Sequence, residues 1–151
     1  MPAQTYEQVL EILGRDCPPP DYPKDLAPES LPLLETVIAG ANQIAAERAL
    51  LAAAQVAPAA AFSLVEKAAL SPKAETRIAA ARAAVFLQRD GSTAVAQRLL
   101  GDADPGVVKY ALRVVEQQQL SNLKPKVERL ATESASDLVK SLALRTKDTL
   151  Q

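Results

Sequence analysis

The sequence predicts an all-α protein, and three observations carry that prediction. Apolar residues recur with the 3.6-residue period of a helix along most of the chain. No stretch alternates apolar and polar residues with the β-branched enrichment of a strand. Hydrophobic residues make up 48% of the chain but aromatic residues only 3%, and about a fifth of all positions are alanine. Small aliphatic side chains let helix backbones approach closely, so this composition suits packed helices. With 151 residues, the chain has the size of one ordinary domain and can bury about two-thirds of its unfolded surface.

Each element has its own signals. The first helix runs from about Ala3 to Leu13, with Tyr6, Val9, Leu10 and Leu13 on one face, and stops near Gly14. Residues 15–29 hold five prolines between Cys17 and Glu29, which lack amide donors and favour extended polyproline geometry. This segment reads as a connector. A helix from about Asn42 to Val56 is followed by Pro58, so the uncharged run from Ala49 to Val65 reads as two buried helices joined at the proline. It falls short of the roughly 20 strongly apolar residues of a membrane span.

Further on, Ser71-Pro72 opens a helix, Asp90-Gly91-Ser92 closes it, and Asp104-Pro105 opens another. In both openings a side-chain oxygen can accept from first-turn amides while proline takes the first helical position. Ser121-Asn122 separates the next helix, and the segment from Ser134 to Asp137 starts the last. Longer helices therefore begin near 42, 72, 104 and 136, with shorter partners at about 58–70, 92–100 and 122–132. The fourth has no partner. Residues 1–40, including the connector, form N-terminal helices that cap the array of residues 41–151.

The array repeats itself. SPKAETRIAAARAAVFLQ (71–88), DPGVVKYALRVVEQQ (104–118) and SDLVKSLALRTKDTL (136–150) align on Arg82, Arg113 and Arg145, at spacings of 31 and 32 residues. A weaker copy, NQIAAERALLAAAQ (42–55), places Arg48 34 residues before Arg82. Helix pairs recurring at this period indicate a solenoid. Asp104-Pro105, Val107, Lys109 and Ala111 resemble the first helix of a HEAT repeat, and Ser136, Asp137, Val139, Lys140, Ala143 and Leu144 follow most of that pattern. The short, Ala-rich form is similar to the HEAT-like repeats of phycobilin lyase subunits and many bacterial scaffold proteins. It implies a right-handed α-α superhelix of about four helix pairs. Arg77 departs from the pattern, occupying a place where the other copy has valine.

Composition excludes several function classes. Without histidine there is no imidazole general base and no His-ligated metal. The lone Cys17 cannot form an intramolecular disulfide, and only Arg15 lies close enough in sequence to activate its thiol. A net charge of −1 argues against broad nucleic-acid binding. The opening MPAQTYEQVLEILG lacks the basic start of a secretory signal, so a cytoplasmic protein is expected. No nucleophile has an obvious base partner and no glycine-rich phosphate loop is present, so neither enzyme activity nor a cofactor is expected.

The candidate binding residues fall into three groups. Arg82, Arg113 and Arg145 form a ladder that either tracks an acidic partner or pairs with helix-start acids such as Asp104 and Asp137 to tie repeats together. Arg98, Lys126 and Arg129 stand on the shorter helices, whose polar positions also include Glu66, Lys67, Gln97, Lys124 and Glu128. Leu142 and Leu150, with Leu138 and Val139, leave an apolar face on the last helix, where a partner or a second copy of the chain can dock. Pro19-Pro20-x-Tyr22 is either a polyproline ligand or a stiff connector with Tyr22 packed inward.

These features point to a non-enzymatic protein-binding scaffold or adaptor. A chromophore-handling subunit like the phycobilin lyases is the alternative, for which Tyr6, Tyr22, Phe62, Phe86 and Tyr110 provide few clamp residues. An immunity-type inhibitor also fits the size.

Overall fold

The computed structural model describes residues 4–15 and 21–150, whose regular structure is all helical, with no strand. Helix α1 (Tyr6–Leu13) opens with a capping box in which the Thr5 hydroxyl accepts from the Gln8 amide and the Gln8 side chain accepts from the Thr5 amide. Its buried stripe is Val9, Ile12 and Leu13, while Tyr6 and Leu10 are 39% and 37% exposed. The inward face is therefore rotated from the expected one, because α1 turns Ile12 toward the core it shares with α3 and α4.

The described part of the proline-rich segment is more ordered than an extended connector. Helix α2 (Tyr22–Asp25) accommodates Pro23 in its first turn, where an amide is not needed, and buries Tyr22 beside Leu26. Gln4 staples this segment by donating to the Asp25 carbonyl at 2.8 Å and accepting from the Ser30 hydroxyl at 2.7 Å. A 3-10 turn at Pro28–Ser30 then leads into α3 (Leu31–Ile38), which lies along α4 (Gln43–Val56). Cys17, Pro19 and Pro20 lie outside the described residues.

From α4 onward the predicted pairs appear, offset by up to three residues. They are α5 (Pro58–Ala69), α6 (Ala74–Ala84), α7 (Arg89–Leu99), α8 (Pro105–Gln118), α9 (Lys124–Glu133) and α10 (Asp137–Thr149). The longer helices pack in series, α4 on α6, α6 on α8 and α8 on α10. α5 packs on α4, α6 and α7, and α7 packs on α6 and α8. α9 breaks the row of shorter helices, because it packs chiefly on α10 and has no comparable contact with α7. One apolar cluster is built from α1 to α5 and a second from α4 to α10, and Ile38 and Leu64 pack against both. The apolar interior is thus continuous.

Two local signals have different consequences from those expected. Asp90-Gly91-Ser92 does not end a helix but forms the first turn of α7, since α6 stops at Ala84 and residues 85–88 make the turn. Gly91 lies close under the Phe62 ring: a Cβ there would stand 3.0 Å from it, so the ring would have to shift by a few tenths of an ångström to admit one. The fully buried Ser92 hydroxyl donates to the Ala84 carbonyl at 2.6 Å, and the Leu87 carbonyl lies at 3.2 Å. A residue read as a breaker therefore satisfies the C-terminal end of α6. Ser71-Pro72 precedes α6 by a turn, and the Ser71 hydroxyl accepts from the Lys73 amide.

Asp104 caps α8 as expected, accepting from the Gly106 and Val107 amides at 2.7 and 3.3 Å. Ser136 caps α10 through the Val139 amide. The far end of α8 closes on Gln119, whose φ of 51° is left-handed, and Arg89 donates to the Gln118 and Gln119 carbonyls at 2.9 and 2.7 Å. Among the described residues, no helix is long and apolar enough to cross a membrane.

Candidate functional site

The arginine ladder divides into residues with different surroundings. Arg82 on α6 and Arg113 on α8 are exposed and line one groove of 230 Å³ with Phe86, Tyr110, Val85 and Leu51. The Arg113 guanidinium stands 5.0 Å from the Tyr110 ring centre, and the Lys109 ammonium 5.7 Å from it. Both lie within the range of a cation–π attraction. Among the described residues, no carboxylate lies within ion-pair distance of Arg82 or Arg113. Arg145 meets Glu116 at 3.8 Å with 63% of its side chain exposed, a geometry that contributes little.

The tie between successive pairs exists, but Arg77 makes it. This residue, the one that departs from the repeat pattern, forms a two-pronged bond with Asp102, Nε to Oδ2 at 2.8 Å and a terminal nitrogen to Oδ1 at 3.2 Å. It also donates to the Ser71 carbonyl at 2.9 Å. The Asp102 hydrogen bond raises the Arg77 guanidinium above its ordinary pKa, against the opposing effect of burial. Asp102 in turn accepts from the Asp104 amide, so the link reaches the cap of α8. Arg48, in the weak copy, donates to the Leu13 carbonyl at 2.8 Å and fastens α4 to the end of α1. The expectation that Arg82 and Arg113 bond to helix-start acids is therefore corrected, because Asp104 is turned to its own helix start.

The second group stays together. Arg98, Lys126 and Arg129 are exposed and line two adjoining hollows, of 310 and 470 Å³, that share Gly101 and Lys126. The cleft opens where α9 leans on α10 instead of α7. Leu100, Leu130 and Glu133 line the smaller hollow, and Glu66 lines the larger. Among the described residues, none of its three cations has a carboxylate within ion-pair distance. These side chains offer hydrogen-bond donors and positive charge beside an apolar strip, the chemistry of a surface that receives acidic and aliphatic groups.

The third group separates. Leu150 is only 6% exposed and belongs to the core, because the chain turns extended after α10 and sends this side chain inward. It is not part of an outer surface. Leu142 is half-buried against the same core, and the leucines that α10 does expose are Leu138 and Leu144, at 53% and 51%. Tyr22 is buried, so its inward-packed reading holds for the described part of the proline motif.

Phe86 and Tyr110, which the sequence offers only as members of an aromatic clamp, stand instead beside the two exposed arginines. Spacing carries part of the signal: Tyr110 and Arg113, i and i+3, share a face of α8, whereas Phe86 stands in the turn after α6 and is brought beside Arg82 by that turn. Among the described residues, no group of three or more cysteine, aspartate or glutamate side chains could hold a metal ion. Set beside protein-family models, curated proteins and solved structures, the chain matches none of them.

Proposed function

We propose that the protein is a non-enzymatic scaffold of the HEAT-like solenoid type, a right-handed superhelix of about four helix pairs that binds another protein through the cleft between α7 and α9. The observation that supports this reading is that Arg98, Lys126 and Arg129, from helices separated in sequence, line two adjoining hollows that meet at Gly101 and Lys126, one of them lined by Leu100 and Leu130. Complementary charge of this kind guides encounter and fixes register, while an apolar strip supplies affinity.

The test uses the full chain carrying Arg98→Glu, Lys126→Glu and Arg129→Glu together. These exposed positions tolerate the change, so the variant keeps its helical circular dichroism. A partner identified by cross-linking and mass spectrometry binds the variant at least about tenfold more weakly. Undiminished binding to that partner overturns the reading.

A further inference from the structure

We propose that the groove between α6 and α8 is a second docking site, whose occupant is an acidic peptide segment that inserts one aromatic or aliphatic side chain beside Phe86 and Tyr110. Charge complementarity is the first argument. Two of the groove-lining residues are arginines and none is acidic, and Lys109 adds a third cation over the Tyr110 ring. Glu116, the neighbouring acid on α8, is turned to Arg145. This concentration of positive charge occurs in a chain whose net charge is −1, so it is a local feature.

The second argument is the apolar surface left within that charge. Phe86 is 43% exposed beside Val85 and Leu51, where an incoming apolar side chain would displace water from all three. Size decides what enters: 230 Å³ lies below the roughly 300–1,000 Å³ that holds a whole small molecule, and suits a single anchoring side chain. Arg113, whose guanidinium stands 5.0 Å from the Tyr110 ring centre, presents a planar fork that matches a carboxylate. The flanking acids of a peptide would meet Arg82 on one side and Arg113 on the other.

This proposal stands independently of the cleft, which lies on α7 and α9. The test is an NMR titration of the full chain with four synthetic peptides and a single-stranded oligonucleotide. The first peptide has two glutamates on each side of a phenylalanine; the second replaces the phenylalanine with leucine, the third replaces it with alanine, and the fourth replaces the glutamates with lysine.

The phenylalanine and leucine peptides shift the amides around Arg82, Phe86, Tyr110 and Arg113 with a Kd of about 1 mM or tighter, while the alanine peptide binds about tenfold more weakly. Arg82→Glu combined with Arg113→Glu removes binding, and the exposed Phe86→Ala variant weakens it about tenfold, which keeps the test decisive if the double variant fails to fold. The triple substitution in the α7–α9 cleft leaves peptide binding unchanged, so failure of one site is distinguishable from failure of the other. No shift with either apolar-centred acidic peptide, equal binding of the lysine peptide, or tighter binding of the oligonucleotide overturns the proposal.

Discussion

Helices α6 and α8 follow one another in the series of longer helices and pack against each other, yet they are held by different means. α6 buries only alanines, Ala79, Ala80, Ala81, Ala83 and Ala84, has no side-chain cap at Lys73, and is hemmed in by α4, α5, α7 and α8. α8 buries four valines and Leu112 beside Ala111, takes its cap from Asp104, and has its far end closed by Arg89. Alanine has the highest helix propensity, and its small side chain allows close approach of neighbouring helices, so α6 tolerates the missing cap. α8 reaches its neighbours with larger side chains and carries its own start signal. Neighbouring helices can thus be stabilised chiefly by what surrounds them or by their own sequence, and the two modes respond differently to substitution.

The largest expected effect is on α8. Leu112 on α8 is 1% exposed and belongs to the larger apolar cluster, and Leu112→Ala removes that buried volume. The expected loss is about 2–5 kcal/mol in urea unfolding, with an unchanged denaturant slope. On α6 the opposite change is the damaging one. Ala80 is fully buried, and Ala80→Leu forces helices apart at a cost of about 1–3 kcal/mol. If Ala80→Leu were neutral, α6 would have room around it and the contrast would fail.

Caps give a smaller and sharper test. Asp104→Ala leaves the Gly106 and Val107 amides without their acceptor and is expected to lower stability by about 1 kcal/mol. Lys73→Ala, at the corresponding place before α6, changes stability by less than about 0.5 kcal/mol because no cap is lost. Equal losses at the two positions would show that α6 depends on its start as much as α8 does.

The same contrast explains what could be read from the sequence. Asp104-Pro105, Asn42, Pro58 and Ser136 act through local chemistry, and each marks a helix start within a residue of its observed place. Asp90-Gly91-Ser92 misled because its roles are tertiary: Gly91 makes room for the Phe62 ring from α5, and Ser92 satisfies the end of α6. The 21–38 region forms helices because Tyr22, Leu26 and Leu34 are buried with α4, a contact that proline counting does not register. For the site, cations on the shorter helices were legible as exposed positions on one face. The tie through Arg77 was not, since its partner Asp102 lies 25 residues away in a loop whose geometry the repeat pattern does not specify.

Small stability effects are expected at the exposed arginines Arg113 and Arg82, and they set these residues apart from Arg77. A partly buried, charge-assisted bond at this position would make Arg113→Ala cost about 1.5–3 kcal/mol. The observed contact is instead an exposed guanidinium 5.0 Å from the Tyr110 ring, for which about 0.5–1 kcal/mol is the upper range. Arg113→Ala is therefore expected to change unfolding free energy by less than about 1 kcal/mol, and Arg82→Ala by less than about 0.5 kcal/mol. A double-mutant cycle of Arg113→Ala with Tyr110→Leu should give a coupling of about 0.5 kcal/mol, which isolates the stacking from other losses. By contrast, Arg77→Ala breaks the bond to Asp102 and the contact to the Ser71 carbonyl, and its melting temperature should fall by several degrees. If Arg113→Ala proved as destabilising as Arg77→Ala, Arg113 would be a structural tie, and the groove would lose the cation that its proposed occupant requires.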